Sequence, residues 1–263
     1  MKVTYAIGDI HGRAGELKTL LEMIKEDMRQ YAAGTNFRLI QMGDMIDRGP
    51  CSCEVVEICR NLPDSFPQTE VLALVGNHEH ELIDIYKGSA DNVPVWFPLE
   101  QGKGGGVATL QSYGCEVEGL TIDEPHNIVR KVQQYISREH IDYFSSLPAF
   151  IMDDVYLFAH SGIVPGVALA EQNSRDFIAL YGAKRNTFME STLDHGRIVV
   201  HAHTPRRGGE VLPNRVNTDA GAGYNLHLQC TVLPEVYNMA EVRQLQVKIA
   251  APENWLEPVK FPL

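Results

Sequence analysis

The chain has 263 residues, 44% of them hydrophobic, enough to fill one large α/β domain. Its 23 Lys and Arg face 34 Asp and Glu, a net charge of -11, which repels polyanions away from any locally positive site and excludes broad nucleic-acid binding. Five cysteines, odd in number and scattered through a chain too large to need staples, exclude a disulfide scaffold and fit a reducing cytoplasm.

In chain order, Val3 to Ile7 reads as a buried strand running into Gly8-Asp9-Ile10-His11-Gly12. Leu17, Leu20, Leu21, Ile24 and Met28 then recur at helical spacing, the pattern of an amphipathic helix packed on a sheet. A second strand, Phe37 to Met42, leads into Gly43-Asp44-Met45-Ile46-Asp47-Arg48-Gly49, and a helix over Glu54 to Leu62 is closed by Pro63. A third strand, Val71 to Val75, leads into Gly76-Asn77-His78-Glu79, after which His80-Glu81 starts a helix whose positive end favours Glu79 and Glu81. Lys87 to Gly106 is a long loop carrying Trp96 and Phe97, read as core packing in preference to a stacking platform, and a helix follows through Val107, Leu110 and Tyr113. A helical pattern resumes from Arg130 to Leu147.

Val155 to Ala159 delivers His160, and Ile198 to Val200 delivers His201-Ala202-His203-Thr204-Pro205. Beyond Arg197 the chain reads mainly as strands, Arg197–Val200, Arg215–Thr218, Leu226–Leu233, Glu235–Met239 and Val242–Ile249, adding a second sheet. Pro252 to Leu263 is expected to be an irregular strap. One domain over 1–263 is expected, with no membrane-spanning run and no room for a signal peptide ahead of the first strand, hence a soluble cytoplasmic protein.

Five strand ends thus bring Asp, His and Asn to one sheet edge, a mixed oxygen and nitrogen set that suits Mn, Fe or Zn better than Ca or Mg. Two such ions roughly 3.5 to 4 Å apart, bridged by a carboxylate, can lower the pKa of a shared water toward about 7 and clamp both oxygens of an in-line phosphoryl displacement. Asp44 is the bridging candidate, and Arg48, a few residues on, is placed to grip a phosphate with its planar fork. Alone, each feature has a bland reading: Asp47 as a helix cap after Pro50, Asp219 as a turn residue, Arg185 as a solvated charge beside Lys184. His126, His140, His195 and His227 lack ligand context, and Cys51-Ser52-Cys53 is a weak metal or redox signal.

Together the series Gly-Asp-Ile-His-Gly, Gly-Asp-Met-Ile-Asp-Arg-Gly, Gly-Asn-His-Glu, Ala-His-Ser-Gly at His160 and Ala-His-Thr-Pro at His203 resembles the phosphoprotein phosphatase branch of the calcineurin-like metallophosphoesterases. Within that branch it is similar to the bacterial and lambda-phage serine/threonine protein phosphatases. Gly105-Gly106, Ala108-Thr109-Leu110, Ser112-Tyr113-Gly114 and Asn217-Thr218-Asp219-Ala220-Gly221 support the resemblance, which spans residues 3 to about 231. It implies an αββα fold, two packed mixed sheets flanked by helices. It also implies one metal on Asp9, His11 and Asp44, and a second on Asp44, Asn77, His160 and His203, with Mn first and Fe or Zn as alternatives.

The resemblance further makes His78 the donor to the leaving oxygen, Asp47 its orienting carboxylate, and Arg48, Arg185 and Asn77 the phosphate ligands. Arg185 departs from the family's Trp-Ile-Arg tripeptide, since Ala183-Lys184 precede it. Thr204-Pro205 aligns His203 as the ligand and leaves His201, with Asp219, as a group behind the ligands. The expected activity is hydrolysis of phosphoserine and phosphothreonine, with phosphotyrosine as an extension, by direct attack of a metal-bridging hydroxide. A monomer acting on phosphorylated proteins or peptides is expected, with no nucleic-acid or membrane partner. The rivals are a symmetrical diadenosine tetraphosphatase, which shares these motifs, and a non-catalytic scaffold, which could dispense with ligands that this chain keeps.

Overall fold

The structure, a computed structural model, describes residues 1–98 and 104–250, so the expected strap from Pro252 to Leu263 lies outside the described residues. The first half of the chain is strand and helix in alternation: β1 (Lys2–Ile7), α1 (Ala14–Met28), β2 (Asn36–Gln41), α2 (Ser52–Arg60), α3 (Leu62–Ser65), β3 (Thr69–Ala73), α4 (Asn77–Tyr86), α5 (Val93–Trp96), α6 (Gly106–Ser112), α7 (Pro125–Tyr135) and α8 (Arg138–Ser146). The second half carries β4 (Phe150–Met152), β5 (Tyr156–Ala159), α9 (Ser174–Ile178), α10 (Gly182–Glu190), β6 (Ile198–His201), β7 (Glu210–Val211), β8 (Arg215–Asn217), β9 (His227–Leu233) and β10 (Arg243–Lys248).

Two five-stranded mixed sheets result, in the orders β10-β9-β1-β2-β3 and β4-β5-β6-β8-β7. β1, β2 and β3 are parallel, as are β5, β6 and β8, while β9, β10, β4 and β7 pair antiparallel. The period of two along each strand builds the layers. Ala6, Ile40 and Leu74 meet Tyr156, Phe158, Val200 and Val216 between the sheets. The alternate residues Tyr5, Ile7 and Leu39 turn outward under α1, whose Leu17, Leu20, Leu21 and Ile24 form its buried stripe. On the far side Leu157 and Val199 pack beneath Phe177 of α9 and Phe188 of α10. This is the αββα arrangement, with parallel strands buried on both faces as helix-covered sheets require. Among the described residues no helix is long and apolar enough to cross a membrane.

Several expectations change. Pro63 does not end a helix; it sits in the first turn of α3, where its missing N–H costs nothing. The pattern from Arg130 to Leu147 is two helices, α7 and α8, separated where Ser137 accepts the Glu139 N–H as an N-cap. Glu235 to Met239 forms no strand: Asn238 caps a 3-10 turn over Met239–Glu241, and Val236 is left exposed. The second sheet begins at Phe150, ahead of the C-terminal third, and β9 and β10 return to the first sheet. There Arg243 of β10 pairs with Asp27 of α1, whose carboxylate also accepts the Tyr5 hydroxyl at 2.7 Å. Lys87 to Gly106 contains the turn α5, and Trp96 within it is wholly buried, as the core reading expects.

Candidate functional site

Six strand ends point the same way. β1 delivers Asp9 and His11, β2 delivers Asp44, Asp47 and Arg48, and β3 delivers Asn77 and His78 at the first turn of α4. β5, β6 and β8 deliver His160, His203 and Asp219. The loops lock one another: the Asp44 carbonyl accepts the N–H of Ile10 (2.9 Å) and of His11 (3.0 Å). Gly76 is obligatory, because a Cβ there would lie 2.2 Å from Asp44 Oδ1. Six non-glycine residues among those described have positive φ, and five of them are His11, Asp44, Asp47, Arg48 and His203. Left-handed backbone at such residues is costly, so its concentration at one sheet edge marks a site that the fold holds against local preference.

The donors converge on Asp44. Its Oδ2 lies 3.3 Å from His160 Nε2, 3.7 Å from His11 Nε2 and 3.8 Å from His78 Nε2. Among the described residues two groups of potential ligand atoms share it, His11 with Asp44 and His78, and Asp44 with His160 and His203, the atoms of each group lying within 4.8 Å of one another. Asp9 Oδ2 is 3.8 Å from His11 Nε2, and Asn77 Oδ1 stands 2.8 Å from His203 Nδ1 and 3.2 Å from His160 Nε2. Tautomers follow from the partners. His11 Nδ1 faces the Ile46 carbonyl and His160 Nδ1 the Met42 carbonyl, each at 2.8 Å; a carbonyl only accepts, so both rings carry their proton on Nδ1 and turn Nε2 inward.

Buried carboxylates without enough positive charge describe a cation site. Burial, then the charges of Asp219 and Asp44, hold the Asp9 carboxyl well above its usual range, and burial raises Asp219 to about 6. Burial disfavours the His160 imidazolium, yet Asp44 and Asp9 outweigh it and raise that ring to about 10. Burial also lowers His203 to about 3, so its imidazole is neutral and could offer a lone pair to a cation. The residues present therefore fit divalent cations: two Nε2 atoms turned inward, that of His160 binding a cation in place of its second proton, a neutral imidazole, an amide oxygen and carboxylates whose mutual repulsion a cation relieves.

One consequence concerns metal removal. Asp219, raised above its ordinary 3.8, binds protons in the folded metal-free protein that the unfolded chain releases. Its contribution to stability is present below 3.8 and is lost as pH rises through about 6. Saturating Mn²⁺ at a hundredfold excess over Kd contributes about 2.7 kcal/mol. The rise in Tm on adding Mn²⁺ is expected to be larger at about pH 7.5 than at about pH 5. An equal increment at both would remove the carboxylates from the metal site.

Beside these candidate ligands stands a hydrogen-bonded His–Asp pair. His78 Nδ1 donates to Asp47 Oδ2 at 2.6 Å, and Arg48 Nη2 lies 3.2 Å from His78 Nε2. Arg48 Nη1 reaches His11 Nε2 at 3.0 Å, and its guanidinium covers the Tyr224 ring at 4.8 Å. Asp47 is not a cap: α2 begins after Cys51 without a side-chain cap. Burial resists charge on His78, but Asp44 and Asp47 tip it upward.

Two residues are not brought to the cluster. The Arg185 guanidinium bonds the side chain of its neighbour Asn186, and no hydrogen bond or ion pair among the described residues ties it to a ligand. His201 is fully buried with its ring edge on Phe188, 4.9 Å between centroids, and its Nε2 unpartnered; burial lowers it to about 3. It is packing behind β6. Asp219 is brought in beside Asp9, its Oδ1 accepting the Gly221 N–H. His140, as expected, is structural, held between Tyr113 and Glu57.

Other residues escaped the sequence reading. Glu79 is wholly buried: one carboxylate oxygen accepts the N–H of Gly76 (2.9 Å) and Asp44 (2.8 Å), the other those of Met45 (2.8 Å) and Ile46 (3.3 Å). The signal was its place three residues after the helix cap, from which a Glu reaches back to the chain before the helix. Tyr181, just ahead of α10, lays a half-exposed ring 5.4 Å from His203. Ser52 and Thr109 surround Asp47.

The calcineurin-like phosphoesterase profile matches residues 3–228. A symmetrical bis(5'-nucleosyl)-tetraphosphatase of Sodalis glossinidius is 40% identical over 91 residues, 35% of this chain and only 28% of that protein's length. The asymmetrical bis(5'-nucleosyl)-tetraphosphatase PrpE of Oceanobacillus iheyensis is 23% identical over 245 residues, 87% of this chain and 88% of that one. The crystal structure of a cold-active protein-tyrosine phosphatase of a Shewanella species matches with a TM-score of 0.56 at 17% identity, covering 95% of this chain and 81% of the other. With the ligand motifs at six strand ends of an αββα fold, and a profile that covers most of its length, the chain belongs to the calcineurin-like phosphoesterase family, whose members use divalent metal ions.

Proposed function

We propose that this phosphoesterase is a metal-dependent phosphomonoesterase of the phosphoprotein phosphatase branch, acting on phosphoserine and phosphothreonine in proteins or peptides. In this reading Asp9, His11 and Asp44 hold one cation and Asp44, Asn77, His160 and His203 a second, Mn²⁺ first among the candidates. When bound, the two cations supply Lewis-acid activation of water and neutralise charge on the phosphoryl group. The protein's own groups do the rest. Arg48 receives phosphoryl oxygens in its planar fork, assisted by an N–H of Asn77. His78 gives its Nε2 proton to the departing oxygen, and Asp47 holds the ring through Nδ1. Arg185, engaged with Asn186, has no part in this reading.

The observation that carries the protein substrate is the burial of Trp96. A tetraphosphatase needs a stacking surface for its nucleoside. Trp96 is sealed in the core, and a Cβ on Gly106 would lie 2.3 Å from its ring. What remains suits a phosphorylated side chain presented from outside. A second reading, dinucleoside tetraphosphate hydrolysis, draws support from the names of the curated relatives and from the Tyr181 ring beside His203.

The test compares kcat/KM for phosphoserine and phosphothreonine peptides with that for diadenosine tetraphosphate on the same Mn²⁺-loaded protein. The peptides are expected to be favoured, with Tyr181→Ala changing their turnover by no more than about fivefold, since such a ring contributes about 1 kcal/mol. Preference for the dinucleotide, with a large loss on Tyr181→Ala, transfers the assignment to the second reading.

A further inference from the structure

We propose that Thr109 is a positioning residue for proton donation: its hydroxyl holds the Asp47 carboxylate that holds the His78 ring, and so governs how readily a poor leaving group departs. This rests on the reading of His78 as the acid.

The geometry is a closed clamp. Asp47 carries two acceptor oxygens and no solvent exposure. Oδ2 accepts His78 Nδ1–H at 2.6 Å, and Oδ1 accepts the Thr109 hydroxyl at 2.5 Å. The Asp47 N–H in turn donates to Thr109 Oγ1 at 2.9 Å and to Ser52 Oγ at 3.0 Å. The two hydroxyl oxygens are 3.0 Å apart, and both residues are fully buried, so water cannot replace either one. Thr109 has a single hydroxyl proton, and the carboxylate is its strongest nearby acceptor.

The clamp stands on rigid elements. Ser112 Oγ donates to the Thr109 carbonyl at 2.7 Å and accepts the Cys53 N–H at 3.1 Å, tying α6 to the first turn of α2. The Arg48 N–H donates to the Gly105 carbonyl at 3.3 Å, tying the start of α6 to the loop that carries Asp47. Asp47 itself sits at φ 72°, a conformation that this double hold on its backbone and side chain sustains.

The chemistry follows from removing one donor. A valine keeps the shape of threonine but leaves Oδ1 buried without a partner, its desolvation no longer offset by a hydrogen bond. Asp47 can relieve it only by turning away from its present orientation, which loosens its bond to His78. As the attacking water oxygen bonds to phosphorus and the P–O bond to the leaving group breaks, that bond's electron pair goes to the leaving oxygen, which takes the Nε2 proton of His78, leaving a neutral ring whose Nδ1–H still donates to Asp47. A loosened ring delivers that proton poorly, and the penalty grows with the basicity of the leaving oxygen.

The experiment uses the full-length metal-loaded protein with phenyl phosphate and p-nitrophenyl phosphate. The phenol leaving group, with a pKa of about 10, needs the proton more than nitrophenolate does. Thr109→Val is expected to lower kcat on phenyl phosphate at least about tenfold, and on p-nitrophenyl phosphate less than about threefold. KM and bound metal should be unchanged, and Thr109→Ser should restore the rate to within about twofold.

In a His78→Asn background, Thr109→Val should add nothing, because the two act as one unit. Equal losses on both substrates, failure of the serine to rescue, or additive losses in the double variant overturn the proposal. If His78→Asn itself shows no leaving-group contrast, the acid assignment fails. If it does and Thr109→Val does not, only the role of Thr109 fails. Should Thr109→Val not fold, the wild-type protein still decides by NMR: a slowly exchanging Thr109 hydroxyl proton close to Asp47 is required, and its absence overturns the proposal.

Discussion

Asp44→Asn is expected to lower kcat at least about a thousandfold and to weaken binding of both cations, the largest loss foreseen for any single substitution in this chain. Both ligand groups share this carboxylate, with inward ring nitrogens of His11, His78 and His160 between 3.3 and 3.8 Å from one of its oxygens. An amide keeps the shape but is neutral, and a neutral bridge between two dications leaves most of their repulsion uncompensated. The loop is held through the Asp44 backbone, whose carbonyl accepts from Ile10 and His11 and whose N–H donates to Glu79 at 2.8 Å. Circular dichroism should therefore show a native protein, while calorimetric titration with Mn²⁺ shows both sites weakened. A variant with two bound ions and a near-normal rate would end the bridging assignment.

The parts of this site that were legible in sequence were those where chemistry and backbone punctuation coincide. Apolar β-branched runs that end in glycine, followed at once by Asp, His or Asn, announce a strand end with ligands, and β1, β2, β5 and β6 lie where those runs placed them. Glycines next to the ligands were readable because the packing permits nothing larger: Gly43 has φ 99°, and a Cβ there would lie 2.7 Å from Gly76. Arg185 and His201 misled for the opposite reason. Each sits near a motif in sequence, but nearness to a motif does not fix where a side chain points. The Arg185 guanidinium bonds the side chain of Asn186, and the two-residue alternation of β6 turns His201 onto Phe188 in the layer behind the sheet.

The hydroxyls of Ser52 and Thr109 were invisible because they are 57 residues apart and meet only when α2 packs on α6. Glu235 to Met239 has strand-like composition, yet Asn238 bonds the N–H of Ala240 and turns the chain, a local bond that outweighs a weak β preference. The sheet order also lay beyond the sequence, since nothing local says that β9 returns to pair with β1.

His78→Asn is expected to produce the second large effect, and its size should depend on the substrate. The ring is held at two points: Nδ1 donates to Asp47 at 2.6 Å, and Nε2 faces Asp44 and Arg48 at 3.8 and 3.2 Å. That orientation aims the second nitrogen at the place where a phosphoryl group would sit among Arg48 and the ligands, the requirement for donating to its leaving oxygen. General acid catalysis contributes about 10² to 10⁴ in rate when the leaving group is an alkoxide, and far less when it departs as a stabilised anion. Asparagine can still hydrogen-bond but has no proton to give at neutral pH. Hydrolysis of a phosphoserine peptide should therefore fall by at least about a hundredfold, and that of p-nitrophenyl phosphate by about tenfold or less. The comparison must be made at matched metal content, because His78 Nε2 is also close enough to Asp44 to belong to one of the two ligand groups. If His78 is instead a metal ligand, the variant should lose bound Mn²⁺ and slow both substrates alike. Retained metal with a steep dependence on the leaving group assigns the proton to His78.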